Sequence, residues 1–231
     1  MPIGETDGVG MVVIVRHGQA SFGADDYDVL SETGWAQGRL LGARLAEQDV
    51  VPTAVVRGGM RRHRETLEAM RETSGLAWPE EQIDVDWNEF DHLGILAAFP
   101  ETPQGPMDRR EFQRVFELAT DRWAAGEVDG APETFEGFVA RTRGALARVV
   151  DLAGPGRTVL VVTSGGPIGV CAATLVDPAG ADLAQTARLW QRFNTVVANS
   201  GYSRVVVGST GPRLLTFNEH AHLDAVHLTY R

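Results

Sequence analysis

Apolar residues along this chain follow two rhythms. Three short runs, Val12-Val13-Ile14-Val15, Thr53-Ala54-Val55-Val56 and Thr158-Val159-Leu160-Val161-Val162, are each followed within a few residues by glycine and the start of a helix. Near-continuous apolarity over so few residues predicts strands buried on both faces, and the third run reads as the central one. Helical spacing predicts helices over about 30–48, from Met60 onward, and over 135–149, where Phe135, Phe138, Val139, Thr142, Leu146 and Val149 share a face. Leu30-Ser31-Glu32-Thr33-Gly34 opens the first of these with an acidic first turn. Its Gly34, Gly38 and Gly42 form a small-residue stripe that predicts close packing onto a sheet, with Leu41 and Leu45 on another row. The segment 22–30, rich in Asp and Gly, reads as a loop.

Past the second helix the rhythm changes. A short third strand is predicted at 82–87, then a Pro-rich stretch at 100–106, then Phe112, Val115, Phe116, Ala119 and Trp123 at helical spacing. We read 88–130 as a helical insertion over the strand ends, with Trp87, Phe90, Phe99, Phe112 and Trp123 hinting at a partly apolar wall, although such aromatics more often build core. Toward the end, Thr195-Val196-Val197-Ala198, Ser203-Arg204-Val205-Val206-Val207 and Leu214-Leu215-Thr216-Phe217 read as short strands at the sheet edge. The alternation predicts an α/β fold with three layers, α/β/α: a mostly parallel central sheet with helices on both faces. No repeat or linker interrupts it, so 1–231 is expected to form a single domain.

Composition narrows the function classes. At 231 residues the chain can bury one good core, and 43% hydrophobic with 23% charged residues argues against extended disorder. A formal net charge of −10 disfavours a broad nucleic-acid or acidic-membrane surface. Cys171 is the single cysteine, so no intramolecular disulfide is possible. Residues 1–5 carry no basic side chain and the apolar stretch 11–15 is too short for a signal core or a span, so a cytoplasmic protein is expected.

The first strand runs straight into Arg16-His17-Gly18. Carboxyl ends of strands are where α/β proteins place their chemistry. Arginine offers a permanent planar fork suited to phosphate, histidine a nucleophile or proton carrier near neutral pH, and glycine a close approach to the backbone. The combination points to phosphoryl chemistry.

With these residues in their order, the chain resembles the histidine phosphatase superfamily, also called the phosphoglycerate mutase-like family. Arg16-His17-Gly18 is similar to its signature, Leu30-Ser31-Glu32-Thr33-Gly34 with Gln37 to its first-helix opening, and Met60-Arg61-Arg62-His63-Arg64-Glu65-Thr66 to its second arginine segment. The resemblance implies that His17 becomes a phosphohistidine while Arg16 and Arg62 hold the phosphoryl oxygens. Glu89, in Asn88-Glu89-Phe90-Asp91-His92, stands where the family places its proton donor, with Asp91 the substitute. A carboxyl donates at neutral pH only if its pKa is raised, which asks for a shielded pocket. Covalent catalysis by histidine divides one hard transfer into two easier ones, and two arginines supply the charge that a loose phosphoryl transition state needs, so no metal and no cofactor is implied. Arg61 and Arg64 read as a solvated helix face.

One position departs. In Val161-Val162-Thr163-Ser164-Gly165-Gly166-Pro167 the family has a second histidine where Ser164 stands. A serine hydroxyl replaces a charge-assisted bond with a neutral one, at about 1–2 kcal/mol, or roughly ten- to thirtyfold in rate. Gly165 and Pro167 place a helix amino terminus by the same pocket, which attracts anions. A nucleophilic Ser164 is disfavoured because Val162 stands where an elbow needs its first glycine. His220 and His222 are conceivable substitutes for the missing ring, but no cysteine or carboxylate spacing makes them zinc ligands, and with His63, His92 and His227 they default to structural hydrogen bonds. The expected activity is hydrolysis of a small phosphorylated substrate, with Gly18, Gly165 and Ser164 beside the two arginines as phosphate contacts; the alternatives are a weakly active or inactive phosphate-ligand-binding regulatory pseudoenzyme and, less favoured, a phosphoglycerate-type mutase. The resemblance is compatible with a homodimer.

Overall fold

The computed structural model describes residues 8–21, 28–180 and 182–230, so most of the expected loop at 22–30, and residues 1–5, lie outside the described residues. Within them, the apolar runs form the strands they predict: β1 (Gly10–Arg16), β2 (Ala54–Arg57), β3 (Glu81–Ile83), β4 (Thr158–Thr163), β5 (Tyr202–Gly208) and β6 (Gly211–Glu219). The sheet order is β3-β2-β4-β1-β5-β6. Neighbours from β3 to β1 are parallel, whereas β5 and β6 pair antiparallel, making a mixed sheet. The most apolar run, β4, sits between β2 and β1 as expected of a central strand.

Among the described residues seven α-helices cover it: α1 (Glu32–Glu47), α2 (Arg61–Ser74), α3 (His92–Ala98), α4 (Arg109–Ala124), α5 (Phe135–Leu152), α6 (Gly165–Val176) and α7 (Leu183–Asn194). Alternation along the strands decides which helices go where. Val12, Ile14, Val159 and Val161 pack with Leu146 and Val149 of α5 and Ile168 and Cys171 of α6. Val13, Val15, Leu160 and Val162 pack with Leu41 and Leu45 of α1 and Leu67 and Met70 of α2. Each such side chain contributes about 1.5–3 kcal/mol when fully buried. Ser31 caps α1 by accepting from the Gly34 amide, and Gly75, at φ 62°, ends α2.

Four sequence expectations change. Gly38 and Gly42 face Ala69 and Met70 of α2, and Gly34 faces the Gln19 carbonyl, so the small-residue stripe lets α1 approach α2 and the loop after β1 while the Leu41 row meets the sheet. The third strand covers only 81–83 and gives way to a 3₁₀ turn at Val85–Trp87. Residues 195–198 form no strand. They follow α7, and the Asn218 side chain accepts from the Ala198 amide and donates to the Val196 carbonyl, meeting the backbone groups a neighbouring strand would have met. Of the aromatics offered as an apolar wall, Trp87, Phe90, Phe99 and Trp123 are buried core, while Phe112 is half-buried against the same cluster. Phe90 and Trp123 join Phe135, Phe138 and Trp190 in a cluster that ties the 88–130 segment to α5 and α7.

Candidate active site

The parallel strands deliver their following residues to one edge. Arg16 and His17 leave β1, Gly58 and Arg62 follow β2, and Ser164 and Gly165 follow β4. His17 is buried and its backbone is fixed on both sides: its amide donates to the Thr163 carbonyl at 2.8 Å, and its carbonyl accepts from the Ser200 amide at 3.2 Å. Ser200 holds φ at 54°, a costly backbone state for serine that aims this amide. The ring is oriented by the Gly18 carbonyl, 2.7 Å from Nδ1. A carbonyl only accepts, so Nδ1 carries the proton and Nε2 the lone pair. Burial, then the positive fields of Arg62 and Arg16, push the His17 pKa well below the usual 6.5, so the ring is neutral at physiological pH.

Gly18 plays a different part from the one its glycine suggested. Its amide donates to Thr66 Oγ1 at 2.9 Å, and a Cβ there would lie 2.4 Å from the Gly34 carbonyl oxygen. The close approach that requires glycine is therefore to α1, and the residue's service to the site is its carbonyl on His17.

Arg62 is buried in the first turn of α2, where its guanidinium bonds Asp28 Oδ1 at 2.8 Å. The other Asp28 oxygen accepts from the Arg61 amide at 2.7 Å, capping a helix whose own N-cap, Met60, has no side-chain oxygen. Arg64 pairs with Glu68 on the exposed face, as the solvated-face reading requires, whereas Arg61, itself exposed, reaches the buried Glu65, which also accepts from the Leu30 amide. Arg16 is anchored by the carbonyls of Val197 and, at 2.9 Å, Tyr230, and its guanidinium lies 3.6–3.8 Å from where a Gly165 Cβ would stand.

Glu89 reaches the start of α6, where its Oε2 accepts from the Gly166 amide at 3.1 Å. A Cβ on Gly166 would fall 2.1 Å from its other oxygen, so that glycine makes room for the carboxyl. Burial raises the Glu89 pKa above the usual carboxylate value, against the lowering pulls of the Gly166 amide and of Arg62 and Arg16. Asp91, by contrast, is exposed and caps α3 through the Gly94 amide.

Ser164 is fully buried, and its hydroxyl meets Nε2 of His63 at 2.8 Å. His63, also fully buried, has its ring centroid 5.8 Å from that of His17. Sequence reasoning placed this ring among the structural histidines; its partner lies 101 positions away, and no local signal pairs them. Asp28, Ser200 and Asn199, whose side-chain amide donates to the His17 carbonyl at 3.3 Å, were missed for the same reason. His220 bonds the Asn218 carbonyl and His227 pairs with Asp224, as structural histidines do, whereas His222 packs on Tyr202 with neither ring nitrogen hydrogen-bonded. Among the described residues no group of three or more His, Cys, Asp or Glu side chains is placed to hold a metal ion, and no helix is long and apolar enough to cross a membrane.

Solved structures share this architecture. Bacillus stearothermophilus YhfR aligns over 93% of this chain and 99% of its own with a TM-score of 0.69 at 21% identity. A mycobacterial glucosyl-3-phosphoglycerate phosphatase aligns over 92% and 100% with a TM-score of 0.63 at 21% identity. A phosphoserine phosphatase from Entamoeba histolytica aligns over 93% and 99% with a TM-score of 0.65 at 15% identity. Comparison with curated proteins gave no match. The family model of the histidine phosphatase superfamily, branch 1, matches residues 12–220, from the first buried strand to beyond the last, and the chain belongs to that superfamily.

Proposed function

We propose that this protein is a phosphomonoester hydrolase acting through a phosphohistidine at His17, with no metal. The observation that carries the reading is the His17 ring: neutral, buried, and held by the Gly18 carbonyl so that Nε2 bears the lone pair. Nε2 attacks phosphorus and the bond to the leaving oxygen breaks. Arg16, Arg62 and the α6 amino terminus stabilise the charge on the phosphoryl oxygens. Glu89, whose pKa burial raises, gives its proton to the leaving oxygen, then takes one from the water that attacks the phosphohistidine and frees His17.

The substrate class is a small phosphorylated molecule, the class named for the phosphatases of similar fold. A second reading, a phosphate-ligand binder of feeble activity, is favoured by Ser164 and by the Asp28 carboxylate on Arg62. The test is phosphate release from a chromogenic aryl phosphate, with chelator present, beside His17→Ala. Turnover abolished in the variant, with acid-labile phosphate captured on the wild-type protein in a rapid quench, supports the hydrolase. Phosphate binding without turnover in either protein supports the binder.

A further inference from the structure

Ser164 is the N-cap residue of α6, yet its hydroxyl makes no capping bond. N-cap serines ordinarily turn their oxygen onto the second or third helical amide; here the second, Gly166, is taken by Glu89. The hydroxyl instead bonds His63 Nε2, and both residues have no exposed surface. The chain has been cut to admit that ring: a Cβ on Gly58 would stand 2.3 Å from His63 Nδ1. His63 therefore bridges the turn after β2 to the turn after β4, beside His17 and one residue from Arg62.

We propose that His63 and Ser164 act as one unit in phosphoryl binding, the His63 Nε2–H donating to the Ser164 oxygen so that the hydroxyl proton is presented to a phosphoryl oxygen on His17. In this arrangement Ser164 contacts the substrate and His63 is the residue that positions it. Burial and the fields of Arg62 and Arg57 keep the His63 ring neutral, so one nitrogen carries the single ring proton; Nδ1 is buried with no hydrogen-bond partner, which favours the proton on Nε2, where the Ser164 oxygen can accept it. Without the ring, the serine has no capping bond to turn to, because the Gly166 amide is engaged by Glu89 and Pro167, the third helical residue, has no N–H, so its proton loses the fixed direction. The imidazole missing at position 164 is thus restored from α2, one hydroxyl further from the phosphate. This inference rests on the phosphohistidine reading for its substrate, but its test needs only phosphate-site binding.

The test is a double-mutant cycle read by calorimetric binding of orthovanadate, a tetrahedral phosphate analogue that becomes five-coordinate when a nucleophile bonds it, and by aryl phosphate turnover. Ser164→Ala and His63→Ala are each expected to weaken vanadate binding about tenfold, and the double variant to be no weaker than either, because the second loss removes nothing further. His63→Gln keeps a donor at the Nε2 position and should recover most of the affinity, which separates positioning from loss of packing. An exchange adds the steric half: Ser164→His alone forces a second ring against His63 and should bind poorly, whereas His63→Ala with Ser164→His should bind at least tenfold better than Ser164→His alone. Losses that multiply in the double variant, or a His63→Gln variant as weak as His63→Ala while equally stable, overturn the unit. If His17→Ala keeps wild-type turnover, the phosphohistidine reading falls while the vanadate cycle still decides this one.

Discussion

Replacing Glu89 by glutamine tests the proposed acid in two independent ways. Glutamine retains a carbonyl to accept from the Gly166 amide, 3.1 Å from the native carboxyl, so the local fold is preserved and only the transferable proton is lost. A positioned general acid contributes roughly 10²–10⁴-fold, and that is the expected drop in kcat/KM for an alkyl phosphate whose leaving alkoxide must be protonated. For a nitrophenyl phosphate, whose leaving group departs as an anion, the drop should be only a few-fold. Stability moves the opposite way. Burial raises the Glu89 pKa in the folded chain, so the folded state holds this proton more tightly than the unfolded one. Stability then falls as pH rises from the unfolded pKa to the folded one, and the full penalty is present above both. Glu89→Gln removes that penalty: its melting temperature should exceed the wild type's near neutral pH, and the gain should vanish below the ordinary carboxylate range. Thermal melts across pH beside rates on the two substrates make the measurement. An equal rate loss on both substrates, or a stability gain independent of pH, would refute the reasoning.

Other outcomes are expected from the same geometry. Arg62→Ala should lower kcat/KM by about 10²–10³ and weaken inhibition by phosphate, as loss of a preorganised charge donor does; steady-state rates with phosphate as inhibitor read both. Gly18→Ala places a Cβ 2.4 Å from the Gly34 carbonyl oxygen, backbone against backbone, and should cost about 1–3 kcal/mol in urea unfolding while misaligning the His17 ring. Cys171 is buried and its thiol pKa is pushed far up, so a thiol reagent should label it only as denaturant opens the core, which a time course with and without urea will show.

What the sequence discloses is whatever is written locally. The strands β1 and β4 announce themselves because both faces are buried, which leaves no polar position to break the run. His17, Arg62 and Glu89 stand beside strand ends, where short motifs carry meaning. The quartet 195–198 misleads for a physical reason: β-branched residues signal a backbone that must be satisfied in extended form, and the side chain of Asn218 satisfies this one without a strand. Long-range partners stay hidden. Nothing near Ser164 reveals that its hydroxyl is met by His63, and the glycine that makes room for that ring, Gly58, reads locally as an ordinary turn residue. The part of Asp28 is equally silent, since its worth depends on α2 lacking a cap of its own.

The anchoring of Arg16 sets a clock. Its guanidinium is held by the carbonyls of Val197 and Tyr230, 181 and 214 positions further along, and the Thr229 carbonyl accepts from the Asn199 amide beside the His17 loop. At roughly 5–20 residues per second, synthesis needs about ten to forty seconds to reach those partners after Arg16 itself is made. Through that interval β1 also waits for β4 and β5, its neighbours on either side, so the nascent chain holds its first arginine and its histidine without the frame that aims them. On the proposed mechanism, activity arrives in one late step, and a ribosome-bound chain stalled before residue 197 should carry His17, Arg62 and Glu89 and hydrolyse nothing.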